Sequence, residues 1–132
     1  MKNIVVIAHD AKKNDLVRFL KEREEWVQGV KFVATGRTAE FIEAGGITVK
    51  HMSPGRYGGY NQITDMIKNK EVDIVIFFRD PIVKEQYHED IQSLLDTCDN
   101  LVIPLATNYA SAELLILGMI RKEAAEKYKA VE

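Results

Sequence analysis

Val72-Asp73-Ile74-Val75-Ile76-Phe77-Phe78, halted by Arg79-Asp80-Pro81, is the stretch that decides the fold. Its apolar residues run on without alternation, and β-branched and aromatic side chains dominate, as in a strand buried on both faces. Such a strand needs helices on both sides of its sheet, hence parallel neighbours joined by crossovers. Toward the N-terminus, Ile63, Met66 and Ile67 recur at helical spacing. Before them come strands at Ile4–Ala8, Val30–Ala34 and, more weakly, Ile47–Met52. Between these lie a helix from about Lys12 to Glu24, marked by Leu16, Val17, Phe19 and Leu20, and a short one over Thr38–Ala44 closed by Gly45-Gly46. Toward the C-terminus follow a helix over Glu89–Thr97, a strand over Leu101–Ala106 and a last helix from about Ala110 to beyond Lys122. Five strands alternating with five helices predict one α/β domain over residues 1–132. It is a three-layer, doubly wound, five-stranded and mostly parallel sheet with right-handed crossovers. Strand order is not legible at this level.

Composition narrows the function classes. A chain of 132 residues with 46% hydrophobic content supports one ordinary core. A net charge of −2 argues against nucleic-acid binding by phosphate neutralisation. The single cysteine, Cys98, excludes an internal disulfide and favours a reducing compartment. The apolar run Ile4–Ala8 is too short for a signal peptide or a membrane span, and no other run approaches span length. The expectation is a soluble, cytoplasmic protein that engages no membrane.

In an open parallel sheet, ligands bind outside the carboxyl ends of the strands. There the chain places His9-Asp10 followed by Lys12 and Lys13, then Thr35-Gly36-Arg37-Thr38, the loop Ser53-Pro54-Gly55-Arg56-Tyr57-Gly58-Gly59, Arg79-Asp80-Pro81, and Thr107-Asn108. Polar or glycine chemistry at every exit must share one rim. Hydroxyls, backbone N–H groups and a helix dipole at Thr35–Thr38 suit an anion, and the Gly-rich loop could wrap a phosphate.

Each piece also has a plainer reading. Thr38 could be a helix N-cap, Asp10 could cap the following helix, and Asp80 before Pro81 could start a turn. His88-Glu89-Asp90 could simply favour a helix start, while His51 and Cys98 read as structural. The spacing of His9, His51 and His88 fits no zinc motif, so no metal is expected. Neither a Walker loop nor a dinucleotide fingerprint is present.

These segments, in order, resemble the methylglyoxal synthase family. The matching strings are Ile7-Ala8-His9-Asp10 with Lys13, and Ala34-Thr35-Gly36-x-Thr38. Further matches are Ser53 with Gly58-Gly59 and Gln62, then Asp73 to Pro81, and Ile103-Pro104-Leu105-Ala106-Thr107-Asn108 with Ala110, Ala112 and Glu113. The resemblance runs from about residue 3 to residue 120 and extends to a fold group with regulatory domains of carbamoyl phosphate synthetase. It implies a five-stranded parallel sheet assembled as a homohexamer. It also implies a cofactor-free lyase that converts dihydroxyacetone phosphate, a small phosphorylated metabolite, to methylglyoxal and phosphate. By position, Lys13, Thr35, Thr38 and Ser53 would hold the phosphate; Gly36, Arg37, Gly58, Gly59 and Tyr60 are further candidate substrate contacts beside them. His9, Asp10, Asp80, His88 and Asp90 would surround the reacting carbons.

One stretch departs from the family. Its Ser-Gly-Pro-x-Gly-Gly-Asp-x-Gln is here Ser53-Pro54-Gly55-Arg56-Tyr57-Gly58-Gly59-Tyr60-Asn61-Gln62, one residue longer. Tyr60 stands where the family has the aspartate taken to be the base, and a phenol, with a reference pKa of about 10, is a poor base at neutral pH. Arg37 replaces a small hydroxyl residue, and matching His88 to the family histidine requires a one-residue shift past Tyr87. Two functions of different class therefore stand: a lyase using Asp10, Asp80 or Asp90, or a binding module that has kept its phosphate grip and lost its base. A third is a lyase for a larger substrate, with Arg37 and Arg56 holding a second anionic group.

Overall fold

The computed structural model describes residues 3–82 and 88–131, without the side chains of Arg56, His88 and residues 129–131. Five strands, β1 (Asn3–Ala8), β2 (Lys31–Ala34), β3 (Lys50–His51), β4 (Val72–Phe78) and β5 (Leu105–Ala106), form one sheet in the order β3-β2-β1-β4-β5. Every pairing is parallel, with Val6 opposite Ile76 and Ala8 opposite Phe78 in the central pair.

The β4 range is the one expected from the sequence, because burial on both faces leaves it no ambiguity of period. Alternate residues serve alternate faces. Val6, Ile74, Ile76 and Phe78 pack with Leu16, Phe19, Ile42 and Ile116, on α1 (Lys13–Lys21), α3 (Gly36–Ala44) and α6 (Tyr109–Val131). Val5, Ile7, Val75 and Phe77 pack with Ile63, Ile67, Ile91 and Leu94, on α4 (Gly59–Lys68) and α5 (His88–Asn100). Each such side chain, fully buried, contributes about 1.5–3 kcal/mol by leaving water. α6 has 23 residues, yet among the described residues no helix is long and apolar enough to cross a membrane.

Three expectations are corrected. The first helix stops at Lys21, and a separate turn of helix, α2 (Glu24–Val27), follows, so the described residues hold six α-helices. Its end folds back through Val30 N–H to Val27 C=O, which delays β2 by one residue. β3 and β5 are much shorter than Ile47–Met52 and Leu101–Ala106. Leu101 and Val102 instead close α5, Val102 with a left-handed φ of 58°, and Ile103 N–H bonds back to Cys98 C=O. Pro104 has no N–H to add to a ladder. Cys98 therefore sits inside α5, fully buried. The exposed ring of His51 pairs with Glu43 at the sheet edge.

The chain winds outward from β1 to β3, then restarts on the other side with β4 and β5. The direction reverses between β1 and β4, and a crevice opens at the carboxyl ends of β1, β2 and β3.

Candidate functional site

The crevice is built first from β1. Ala8 ends the strand, and His9 and Asp10 turn into a 3-10 segment that leads to α1. His9 N–H donates to Phe78 C=O (3.1 Å), and its Nδ1 accepts the N–H of Asp80 (2.8 Å). The two central strand exits are thus tied to each other. With Nδ1 as acceptor, the neutral ring carries its proton on Nε2. The ring meets Phe77 edge-on, with centroids 5.2 Å apart.

Lys13, in the first turn of α1, is buried. Its ammonium donates to Ala8 C=O (2.7 Å) and to Asp10 Oδ1 (3.0 Å). A buried cation tolerates that position only when paired and hydrogen-bonded. Asp10 itself is largely exposed, and its Oδ1 also lies 3.8 Å from Arg37 Nε. Asp10 does not cap a helix, as one reading of the sequence had allowed. The residue at the N-cap of the 3-10 segment is His9, and no side-chain cap bond is made.

β2 leads into Thr35 and α3. Thr35, not Thr38, is the N-cap of α3, and its side chain makes no capping bond. The N–H groups of Arg37 and Thr38 in the first turn of α3 therefore keep their capacity for an anion, with the helix dipole behind them. Thr38 stitches α3 to β1: its Oγ1 accepts from Ala8 N–H (3.3 Å) and lies 3.4 Å from Ala8 C=O and 3.5 Å from Thr35 Oγ1. Gly36 N–H donates to Ser53 C=O (3.3 Å). A Cβ on Gly36 would stand 3.1 Å from the Pro54 ring, so glycine lets the loop lie across the helix start.

The longer loop is a 3-10 turn over Gly55–Tyr57 running into α4. Gln62 clamps its beginning, accepting Ser53 N–H (2.8 Å) and donating to Ser53 Oγ (3.0 Å). Gly58, at φ 94°, makes the left-handed turn that starts α4, and Gly59 N–H donates to Pro54 C=O (3.1 Å). Tyr60 is buried, its ring stacked on Phe77 at 6.0 Å and 10°. A Cβ at Gly55 would stand 2.5 Å from Tyr60 Cε2. The phenol thus occupies a slot that requires glycine at position 55.

Together these residues enclose a cleft with about 430 Å³ of atom-free space, part of it open to solvent. His9, Asp10 and Lys13 form one wall, Thr35, Arg37 and Thr38 the second, and Pro54, Gly55 and Tyr60 the third. Of the residues singled out in the sequence, Gly36, Ser53, Gly58 and Gly59 stand behind the lining and shape it. Asp80 lies outside the lining, and its Oδ1 accepts Ile82 N–H (3.1 Å), the turn-starting arrangement expected of Asp before Pro. Asp90 lies in the first turn of α5, away from the lining. The side chain of His88 is outside the described residues. Pro54 and Gly55 were missed as lining residues, because they contribute shape rather than a chemical group. Their signal in the sequence was the extra loop residue next to Tyr60.

The comparisons agree with this fold. A family model described as MGS-like domain matches residues 15–107. Methylglyoxal synthase of Thermoanaerobacter sp. (strain X514) is 44% identical over 118 residues, covering 89% of this chain and 89% of that protein. Methylglyoxal synthase of Geobacillus sp. (strain WCH70) is 41% identical over 123 residues, covering 92% and 88%. The crystal structure of methylglyoxal synthase from Elizabethkingia anophelis NUHP1 superposes with a TM-score of 0.81 at 35% identity, over 86% of this chain and 76% of that one. With a shared fold and matches that span about nine-tenths of its length, the chain belongs to the methylglyoxal synthase family.

Proposed function

We propose that the chain, acting as one domain, is a lyase that converts dihydroxyacetone phosphate to methylglyoxal and inorganic phosphate. The observation that carries this reading is the buried Lys13 ammonium beside the uncapped start of α3. A cation, threonine hydroxyls and helix N–H groups converge on one small cleft, as a phosphate requires. Arg37 adds a second cation at its mouth.

The chemistry needs a carboxylate to take a proton beside the carbonyl and a donor to hold the oxygen that becomes negative. The neutral His9 ring, with its proton on Nε2, is such a donor. Phosphate leaves when its C–O bond is held in line with the π system of the enediolate, so the phosphate grip sets the outcome as well as the affinity. No cofactor is needed for these steps.

Incubation with dihydroxyacetone phosphate tests this directly. Equal, enzyme-dependent release of phosphate and methylglyoxal is expected. Tyr60 in place of the family aspartate favours a second reading, a phosphorylated-metabolite binding module without turnover; binding of the substrate with no product would establish that one. A cytoplasmic homohexamer is the assembly the family resemblance supports. Exposed Leu114 and Leu117 on α6 offer apolar surface for subunit contacts, and light scattering of the purified protein measures its mass.

A further inference from the structure

We propose that Asp10 is the proton-abstracting base of this chain, released for that task when Lys13 and Arg37 transfer from its carboxylate to the phosphate of the substrate. The proposal rests on the lyase reading above and names the residue that reading leaves open.

Position 60 cannot supply the base, because a phenol, its reference pKa about 10, holds its proton at neutral pH. Nor can the ring simply swing aside, since it is buried, stacked on Phe77 and close against Gly55. Of Asp10, Asp80 and Asp90, Asp10 alone lines the cleft. Asp80 is turned to the Ile82 N–H.

The surroundings of Asp10 give it a condition for action. Its Oδ1 is 3.0 Å from Lys13 Nζ and 3.8 Å from Arg37 Nε. Both cations face the same cleft, and a phosphate dianion there competes for both. Lys13 stays anchored through Ala8 C=O (2.7 Å), so its ammonium changes partner with little displacement. Once these cations attend to phosphate, the carboxylate loses the charges that weaken it as a base. A substrate lacking the phosphate leaves Asp10 in its ion pairs.

The step balances without any further reactant. Asp10 takes a proton from the hydroxymethyl carbon, and the C–H electron pair becomes the C=C bond of an enediolate. A proton passes from the hydroxyl oxygen to the former carbonyl oxygen. The terminal oxygen then re-forms a C=O, and the C=C pair shifts toward the phosphate-bearing carbon and breaks its C–O bond, giving phosphate and the enol of methylglyoxal. That enol gains a proton at its CH2 carbon and gives up its O–H proton as it becomes the ketone, and the Asp10 proton returns to water.

Asp10→Asn tests the assignment by exchange of the carbon-bound protons of dihydroxyacetone phosphate into heavy water, followed by NMR, alongside calorimetry with inorganic phosphate. Exchange is expected to fall at least about 100-fold, while phosphate affinity stays the same or rises, since the competing carboxylate is gone. Exchange within about tenfold of the unaltered protein overturns the proposal, and so does loss of phosphate affinity, which would make Asp10 part of the binding site. An unaltered protein that binds phosphate but exchanges nothing withdraws the lyase reading itself, and this step with it.

Discussion

The Nδ1 of His9 accepts the backbone N–H of Asp80 at 2.8 Å, joining residues 71 positions apart in the sequence. This bond spans the point where the winding of the sheet reverses, and it orients the imidazole toward the cleft. His9→Phe removes the acceptor and leaves a partly buried N–H without its partner. Urea unfolding should record a loss of about 1–3 kcal/mol, and the Asp80 amide should exchange faster with deuterium than in the unaltered protein.

Lys13→Ala should weaken inorganic phosphate binding by tenfold or more, since a hydrogen bond to a charged group contributes about 1.5–3 kcal/mol. Calorimetry measures it. Urea midpoints should shift less than the affinity does, because the substitution also relieves the burial of a charge.

Gly55 and Tyr60 should behave as a coupled pair. Gly55→Ala places a methyl group 2.5 Å from Tyr60 Cε2 and should destabilise by about 1–3 kcal/mol. In a Tyr60→Ala background the same change should be nearly silent, and a double-mutant cycle by urea unfolding reads the difference.

Burial, and secondarily the charge of Asp99, pushes the Cys98 thiol up from 9.0 to about 11. The folded protein therefore holds that proton more tightly than the unfolded chain. The resulting stability is complete below about pH 9 and is lost as pH rises toward about 11. Cys98→Ala should remove that part of the alkaline decline in a pH series of unfolding curves. Native protein at pH 8 should resist iodoacetamide until urea exposes the thiol.

The residues that could be read from sequence are those whose signal is local. Val72–Phe78 declares itself by composition, and its range needed no revision. The polar strand exits announced Lys13, Thr35, Arg37 and Thr38, which the fold brings to one cleft. What escaped depends on distant partners. The order β3-β2-β1-β4-β5 is a product of packing between helices and faces, and no periodicity encodes it. β5 was overextended because Leu101 and Val102 look like strand residues until the left-handed turn after α5 claims them. Gly55 had no visible role until the Tyr60 ring lay against it. Thr35 took the helix cap expected of Thr38, which instead ties α3 to Ala8.

The two outermost strands, β3 and β5, have two residues each. A parallel sheet normally ends in rows of unsatisfied backbone groups that invite another chain to add a strand. Here the central strands carry the length, and each border is nearly too brief to template such growth. Borders this short offer a neighbouring copy little edge to extend, so strand-to-strand addition at either side of the sheet is disfavoured.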